Sequence, residues 1–283
     1  MRFSVTMVPT DLGIPVAALA RAVEERGLDG LWFPDHTHIP VSRTTPYPLG
    51  GDLPARYHRI LEPVVALAMA ASSTDRIRLG TGILLVGQRD PIVTAKALAT
   101  IDQQSGGRVA VGVGYGWNVE EMVDHGVDPR TRRARVREHV LAMRRLWEDE
   151  VATYDGAFVT FAPSWSWPKP VQGPLPVLVG GAPTDATFRH VAELGQGWIP
   201  TGGHGLAEAV PRLRDHLEAA GRDPLAVEIV PFTTGELSHD KVDRLEAAGA
   251  TEVAFDVPPL AASEVLPILD GIATFATARR EGR

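Results

Sequence analysis

The chain contains no cysteine. That excludes disulfides, thiolate nucleophiles, iron–sulfur clusters and cysteine zinc sites, and it fits a reducing, cytoplasmic setting. Lysine is nearly absent: Lys96, Lys169 and Lys241 are the only ones, and every other residue of the 28 Lys+Arg is arginine. The formal net charge is −7 and the pI about 5.7, so the surplus of basic groups that marks a nucleic-acid binder is missing. No apolar run reaches the ~18 residues of a membrane span. The short, alternating segment Met1 to Pro9 does not read as a signal peptide. Neither nucleic acid nor membrane is expected as a partner.

What is present is a regular alternation of short β-rich runs and longer helical patterns. Strands are expected over 2–9, 29–34, 77–86, 108–114, 176–180, 197–201, 226–233 and 251–256. Helices are expected near 14–26, 61–74, 91–105, 130–148, 184–195, 205–221, 238–248 and 260–280. Eight of each predicts an α/β fold of the (β/α)8 TIM-barrel kind, and 283 residues suit one such domain, 1–283. Gly27, Gly195, Gly221 and Gly249 stand where helices need a cap. In the fourth helical pattern, Val136, Val140, Met143 and Trp147 form one apolar stripe. Two segments exceed the regular count, one after the second strand (36–60, rich in Pro and Gly) and one before the fifth (150–172, with the turn signal Tyr154-Asp155-Gly156).

Barrel chemistry sits at the C-terminal ends of the strands. Reading those ends collects Thr10, Asp35-His36, Gly82-Ile83, Gly114 to Trp117, Gly180-Gly181, Thr201-Gly202-Gly203, Thr233-Thr234 and Asp256. The set is rich in glycine and poor in charge, which suits a planar, phosphorylated ligand. His36 is a candidate general base, because imidazole titrates near neutrality; the alternative is a solvated histidine beside a turn capped by Asp35. Gly180-Gly181 before a helix start reads as a phosphate cradle or as a tight turn. The arginines from Arg130 to Arg137 read as a solvated face with partners such as Glu138, or as a site for an acidic tail. Trp165 and Trp167 read as packing or as a pocket wall.

In their order, several stretches resemble the bacterial luciferase-like superfamily, in its branch of coenzyme F420-dependent oxidoreductases. These are Phe33-Pro34-Asp35-His36, Arg78 to Leu84, Arg89 to Lys96 running on to Asp102, Ser105 to Trp117, Val177 to Gly181, and Gly195-Gln196-Gly197-Trp198. They cover roughly residues 1–200; the last third matches in βα rhythm alone. The resemblance implies a barrel that holds coenzyme F420, or alternatively FMN, across its C-terminal mouth. It implies a cis peptide bond between Gly82 and Ile83 behind the ring, Asp35 and His36 at the ring's reactive edge, Gly180 and Gly181 at the cofactor phosphate, and a homodimer. Gly114 and Trp117 fall in the cofactor-facing bend. Trp117 stands where some F420-dependent sugar-phosphate and alcohol dehydrogenases carry a carboxylate; the nearest acids here are Glu120 and Glu121, and Glu120 is taken as the replacement.

The expected function is therefore hydride transfer between F420 and a small organic substrate, with His36 and Glu120 catalytic and with loop 36–60 and the Trp165/Trp167 segment covering the substrate. Sugar-phosphate oxidation is not expected. Arg43, Arg56 and Arg59 suit an acidic cofactor tail or merely loop solubility. The rival readings are an FMN monooxygenase served by a separate reductase, a carrier of F420 without turnover, and a metal-dependent hydrolase built on His36 and His38 with His204 and Asp256. The last lacks further ligands, and no metal is expected.

Overall fold

Val109-Ala110-Val111-Gly112-Val113 is apolar or glycine at every position, the pattern of a parallel strand covered on both faces, and all five residues are buried. The same logic repeats round a sheet of parallel strands. The structure, a computed structural model, describes residues 1–201, 205–235 and 238–282. Its strands are β1 (Arg2–Thr6), β2 (Gly30–Phe33), β3 (Arg78–Leu84), β4 (Val109–Val113), the outlying β5 (Ala152–Asp155) and β6 (Thr160–Ser164), then β7 (Val177–Gly181), β8 (Gly197–Pro200), β9 (Glu228–Ile229), β10 (Phe232–Thr233) and β11 (Glu252–Asp256). The helices are α1 (Val16–Glu25), α2 (Pro63–Ala71), α3 (Pro91–Ser105), α4 (Val119–Asp124), α5 (Arg132–Glu148), α6 (Asp185–Leu194), α7 (Leu206–Ala219), α8 (His239–Ala247) and α9 (Ala262–Glu281).

The sheet runs β10-β11-β1-β2-β3-β4-β7-β8-β9. Its two ends are consecutive in the chain. The single strand expected over 226–233 is split at Val230-Pro231: the first half pairs with β8, the second with β11. Proline has no N–H to donate to a ladder. The Pro231 carbonyl instead accepts from Ala254 N at 3.1 Å, and Thr251 N donates to Ile229 O at 2.9 Å. The strand changes partner at the proline, and the sheet curls into a barrel.

Two apolar cores result. The larger lies between sheet and helices. The smaller fills the barrel and contains Trp32, Ala110, Leu178, Ile199, Val230 and Ala254, with Ile83 and Phe232 packed against it. Helix starts follow local chemistry. Asp90 before Pro91 accepts from Ile92 N and Val93 N, and Glu62 before Pro63 accepts from Val65 N. Gly27, Gly221 and Gly249 adopt positive φ after their helices. Gly195 does not; its φ is −106°, and a Cβ there would meet Gly197 O at 3.0 Å, so close approach is its reason. No described helix is long and apolar enough to cross a membrane.

Both extra segments are present. Residues between β2 and α2 lie over the mouth. β5 and β6 form an antiparallel hairpin whose turn is held by Glu138, which accepts from Ala157 N, Phe158 N and Val159 N. Glu138 is thus not the helical partner of its neighbouring arginines; Arg137 pairs with Glu193. The chain after β6 corrects the expectation that Trp165 and Trp167 cover the substrate. Lys96 binds the Trp167 carbonyl, Gln103 the Lys169 carbonyl, and Gln172 the Val109 carbonyl at the opposite end of the barrel. These polar anchors lead the segment down α3, leaving Trp165 77% and Trp167 58% exposed.

Candidate active site

His36 follows β2 and is 5% exposed. Its Nδ1 lies 2.6 Å from Glu121 Oε2, and its Nε2 accepts from Trp117 Nε1 at 3.1 Å. An indole N–H only donates and a carboxylate only accepts, so these partners define a neutral imidazole with its proton on Nδ1. Glu121 is itself fully buried, and its Oε1 accepts from Thr37 N at 3.1 Å. Around the pair the long loop and the bend after β4 build an aromatic wall. Tyr57 and Trp117 meet the His36 ring edge-on at 5.5 and 5.4 Å, and Tyr47 touches both Tyr57 and Trp117. Burial pushes the Tyr57 phenol above its usual range.

Glu120 points elsewhere. Its carboxylate accepts from Thr45 Oγ1 at 2.6 Å, Thr44 N at 2.6 Å, Thr44 Oγ1 at 2.8 Å and Thr45 N at 3.1 Å. Those donors pull its pKa down to about 2, so it is an anion at neutral pH with no proton to give. Helix geometry separates the two acids: adjacent residues on α4 point about 100° apart, so one reaches the loop and the next reaches His36. Asp35, expected at the ring or behind His36, is occupied by other groups. Arg89 grips it through Nη2 at 2.7 Å and Nε at 2.8 Å, and Leu85 N donates at 2.9 Å. Arg89 also reaches Glu62. This bidentate pair ties the end of β2 to the turn after β3.

The Gly82–Ile83 peptide bond is cis. The neighbouring glycines make room for protein rather than directly for a ligand. A Cβ on Gly82 would lie 2.2 Å from the Phe232 ring; on Gly114 or Gly180 it would lie 2.5 Å from the Ile83 side chain. Ile83 therefore sits in a slot walled by two glycines. Gly181 differs, since its nearest contacts are Thr187 and the Tyr115 ring, at 3.3–3.4 Å. Arg133 lies over that ring at 4.3 Å, and Tyr115 Oη is 2.9 Å from His190 Nδ1. Arg133 Nη1 is buried and has no hydrogen-bond partner among the described residues. An unsatisfied cationic donor beside a Gly-Gly turn is the kind of group an anion would satisfy.

The loop arginines are all engaged within the chain. Arg43 binds the Thr45 carbonyl and lies over Trp117, Arg56 pairs with Asp256 at 3.3 Å, and Arg59 with Asp11. A cavity of about 450 Å³ opens beside Thr233, lined also by Thr234, Leu206, Glu208, Lys241 and Arg244. Gly202, Gly203 and His204 lie outside the described residues. His36 and His38 do not converge: His38 turns to Asp124 and His125.

The model of the luciferase-like monooxygenase family matches residues 15–263. The chain belongs to this family. An uncharacterized protein of Mycobacterium tuberculosis is 49% identical over 229 residues, spanning 80% of this chain and 81% of its own length. An F420-dependent glucose-6-phosphate dehydrogenase of Kineococcus radiotolerans is 32% identical over 218 residues, 73% of this chain and 59% of the relative. Among solved structures, a monooxygenase from Streptomyces bottropensis aligns with a TM-score of 0.79 at 22% identity, covering 99% of this chain and 100% of that one. An F420-dependent secondary alcohol dehydrogenase aligns with a TM-score of 0.75 at 17% identity, covering 97% and 98%. At these identities the solved structures establish the fold.

In this luciferase-like protein the acid beside His36 is Glu121, whereas Glu120, the acid expected from the sequence, turns to Thr44 and Thr45. A signal for Glu121 was available. It lies in the same Glu120-Glu121 pair, and neighbouring residues of a short helix point about 100° apart, so either acid could be the one turned toward the mouth.

Proposed function

We propose that this luciferase-like protein is an oxidoreductase that binds coenzyme F420 across the C-terminal mouth of its barrel and transfers hydride to or from a small organic substrate. The observation that carries the reading is His36, buried at the mouth between one acceptor and one donor. The residues fit such a cofactor. Arg133, with its unpartnered Nη1, and the Gly180-Gly181 turn would take the phosphate; Ile83 would support the ring face. When bound, the cofactor supplies the hydride chemistry. The chain's own groups do the rest.

Glu121 holds His36 in the Nδ1–H form and steadies the imidazolium once Nε2 takes a proton. Nε2 reaches substrate only when the Trp117 indole swings off it, so Trp117 is read as a gate on the base. Asp35 with Arg89 positions the backbone that follows the cis bond. Glu120, gripping Thr44 and Thr45, holds the loop that shuts water from His36. Of the two residues expected to be catalytic, His36 keeps the proton-transfer role, and Glu121 takes the place given to Glu120. With Trp117 in the bend and Arg43, Arg56 and Arg59 already paired, a sugar phosphate is a poor substrate and a neutral, flat one a good fit for the aromatic wall. A homodimer is supported by the apolar groups that α2 and α3 turn outward, Val65, Met69, Ile92 and Val93.

Titrating the apo-protein with F420 and with FMN, following fluorescence quenching, tests the cofactor. Saturable quenching by F420, weakened by Arg133→Ala, is the expected result. Tight FMN binding with no response to F420 replaces this reading with the oxygen-using flavin alternative.

A further inference from the structure

Outside the His36 pair, the mouth gathers a second set of ligating side chains. His38, His125 and Glu121 each place one ligand atom so that all three lie within 4.8 Å of one another. We propose that these three residues bind a first-row transition-metal dication, with zinc as the type ion, at the rim of the barrel. The proposal goes beyond the redox reading above and does not depend on it.

The donor set is two imidazoles and a carboxylate, the chemistry such ions favour. With bonds of ~2.0–2.1 Å, a tetrahedral zinc needs donors roughly 3.4 Å apart. Inward rotation of three side chains by about an ångström supplies that. The orientation of His38 is already set. Its Nε2 lies 3.1 Å from Asp124 Oδ2, so the proton belongs on Nε2 and the Nδ1 lone pair faces the cluster. A carboxylate behind a ligating histidine is the usual outer support of a metal site. His125 caps α4 four residues after Glu121, so one helical face delivers both. At present the Thr37 hydroxyl lies between the imidazoles, 3.0 Å from His38 Nδ1 and 2.6 Å from His125 Nε2. Turning that hydroxyl aside and moving the His125 proton to Nδ1 exposes both lone pairs. His38 and Asp124 are well exposed, with side-chain exposures of 42% and 55%, which gives an ion a path from solvent. Glu121 is shared between this site and His36, so an ion on Oε1 drains charge from the carboxylate that steadies the base.

The test is calorimetric titration of tag-free, chelator-stripped protein with zinc chloride, with cobalt chloride as a spectroscopic probe. One zinc per chain is expected, together with visible cobalt bands of the intensity that four- or five-coordinate ligation gives. Asp124→Asn lowers zinc affinity by about 10-fold or more. His38→Ala and His125→Ala each lower it further, by at least about 100-fold, while thermal melting shows both variants folded. Thr37→Val binds zinc at least as tightly as the native chain. Absence of stoichiometric zinc binding, or undiminished binding in the His38→Ala/His125→Ala double variant, overturns the proposal. Neither readout requires F420, FMN or turnover.

Discussion

The two ends of the barrel are built from the same kinds of residue and resolve their polar groups in opposite ways. At the N-terminal end, Arg2, Arg78, Glu228 and Glu252 each stand at the start of a strand and interlock. Arg78 reaches Glu252 at 3.0 Å and also pairs with Glu228, Arg2 binds both acids, and Trp32 Nε1 donates to Glu252 at 2.7 Å. At the C-terminal end, Arg133 Nη1 and both amide atoms of the buried Asn118 have no partner among the described residues, and His36 Nε2 is engaged by the Trp117 indole, which a substrate would have to displace. A closed end stabilises; an end with unsatisfied donors is prepared for a ligand.

The sharpest way to break the comparison is to open the closed end. Glu252→Ala leaves Arg78 and Arg2 with Glu228 alone and the Trp32 indole without its acceptor, and about 3–5 kcal/mol of stability is expected to go, measured by urea denaturation. The same acid sets a pH signature. Burial alone would raise its pKa, but Arg78 and Arg2 hold it below the ordinary value of 4.5. A depressed carboxylate contributes stability above that ordinary value and loses it as the pH falls through the folded pKa. Unfolding free energy should therefore decline below pH 4.5 in the native chain and less steeply in Glu252→Gln.

At the open end the larger effects fall on rate. His36→Ala and Glu121→Gln are expected to lower kcat by about 10²–10⁴-fold and by a smaller factor, respectively, with stability changed less than by Glu252→Ala. If Glu120→Gln matched Glu121→Gln, the division of labour on α4 would be wrong. Gly114→Ala and Gly180→Ala push a methyl into Ile83 and should each cost about 1–3 kcal/mol, with looser cofactor binding; a chemical-denaturation midpoint and a cofactor titration report both. The smallest effect is expected of Glu120→Gln itself, which lowers kcat less than Glu121→Gln does and makes the loop around Thr44 and Thr45 easier to nick in limited proteolysis.

Helices and their starts were readable because their causes are local. Asp90 before Pro91 and the stripe Val136, Val140, Met143 and Trp147 need no knowledge of the rest of the chain. The bends after β2, β3, β4 and β7 were readable through their resemblance to a family. α4 escaped notice because six residues are too few to show a periodicity. The partner of Asp35 lies 54 residues away, that of His36 lies 85 away, and Arg2 and Glu252 are 250 apart. No spacing rule reaches so far.

By itself, the order of apolar, glycine and capping residues determined the βα alternation, the barrel and the positions that reach its mouth, since those follow from steric preference and burial over a few neighbouring residues. Only the closed barrel decided that Glu121 and not Glu120 holds His36, that Arg89 takes Asp35, and that Gly114 and Gly180 serve Ile83. Such choices depend on which side chains share a low-dielectric space, and that space exists only once the strands have curled around it.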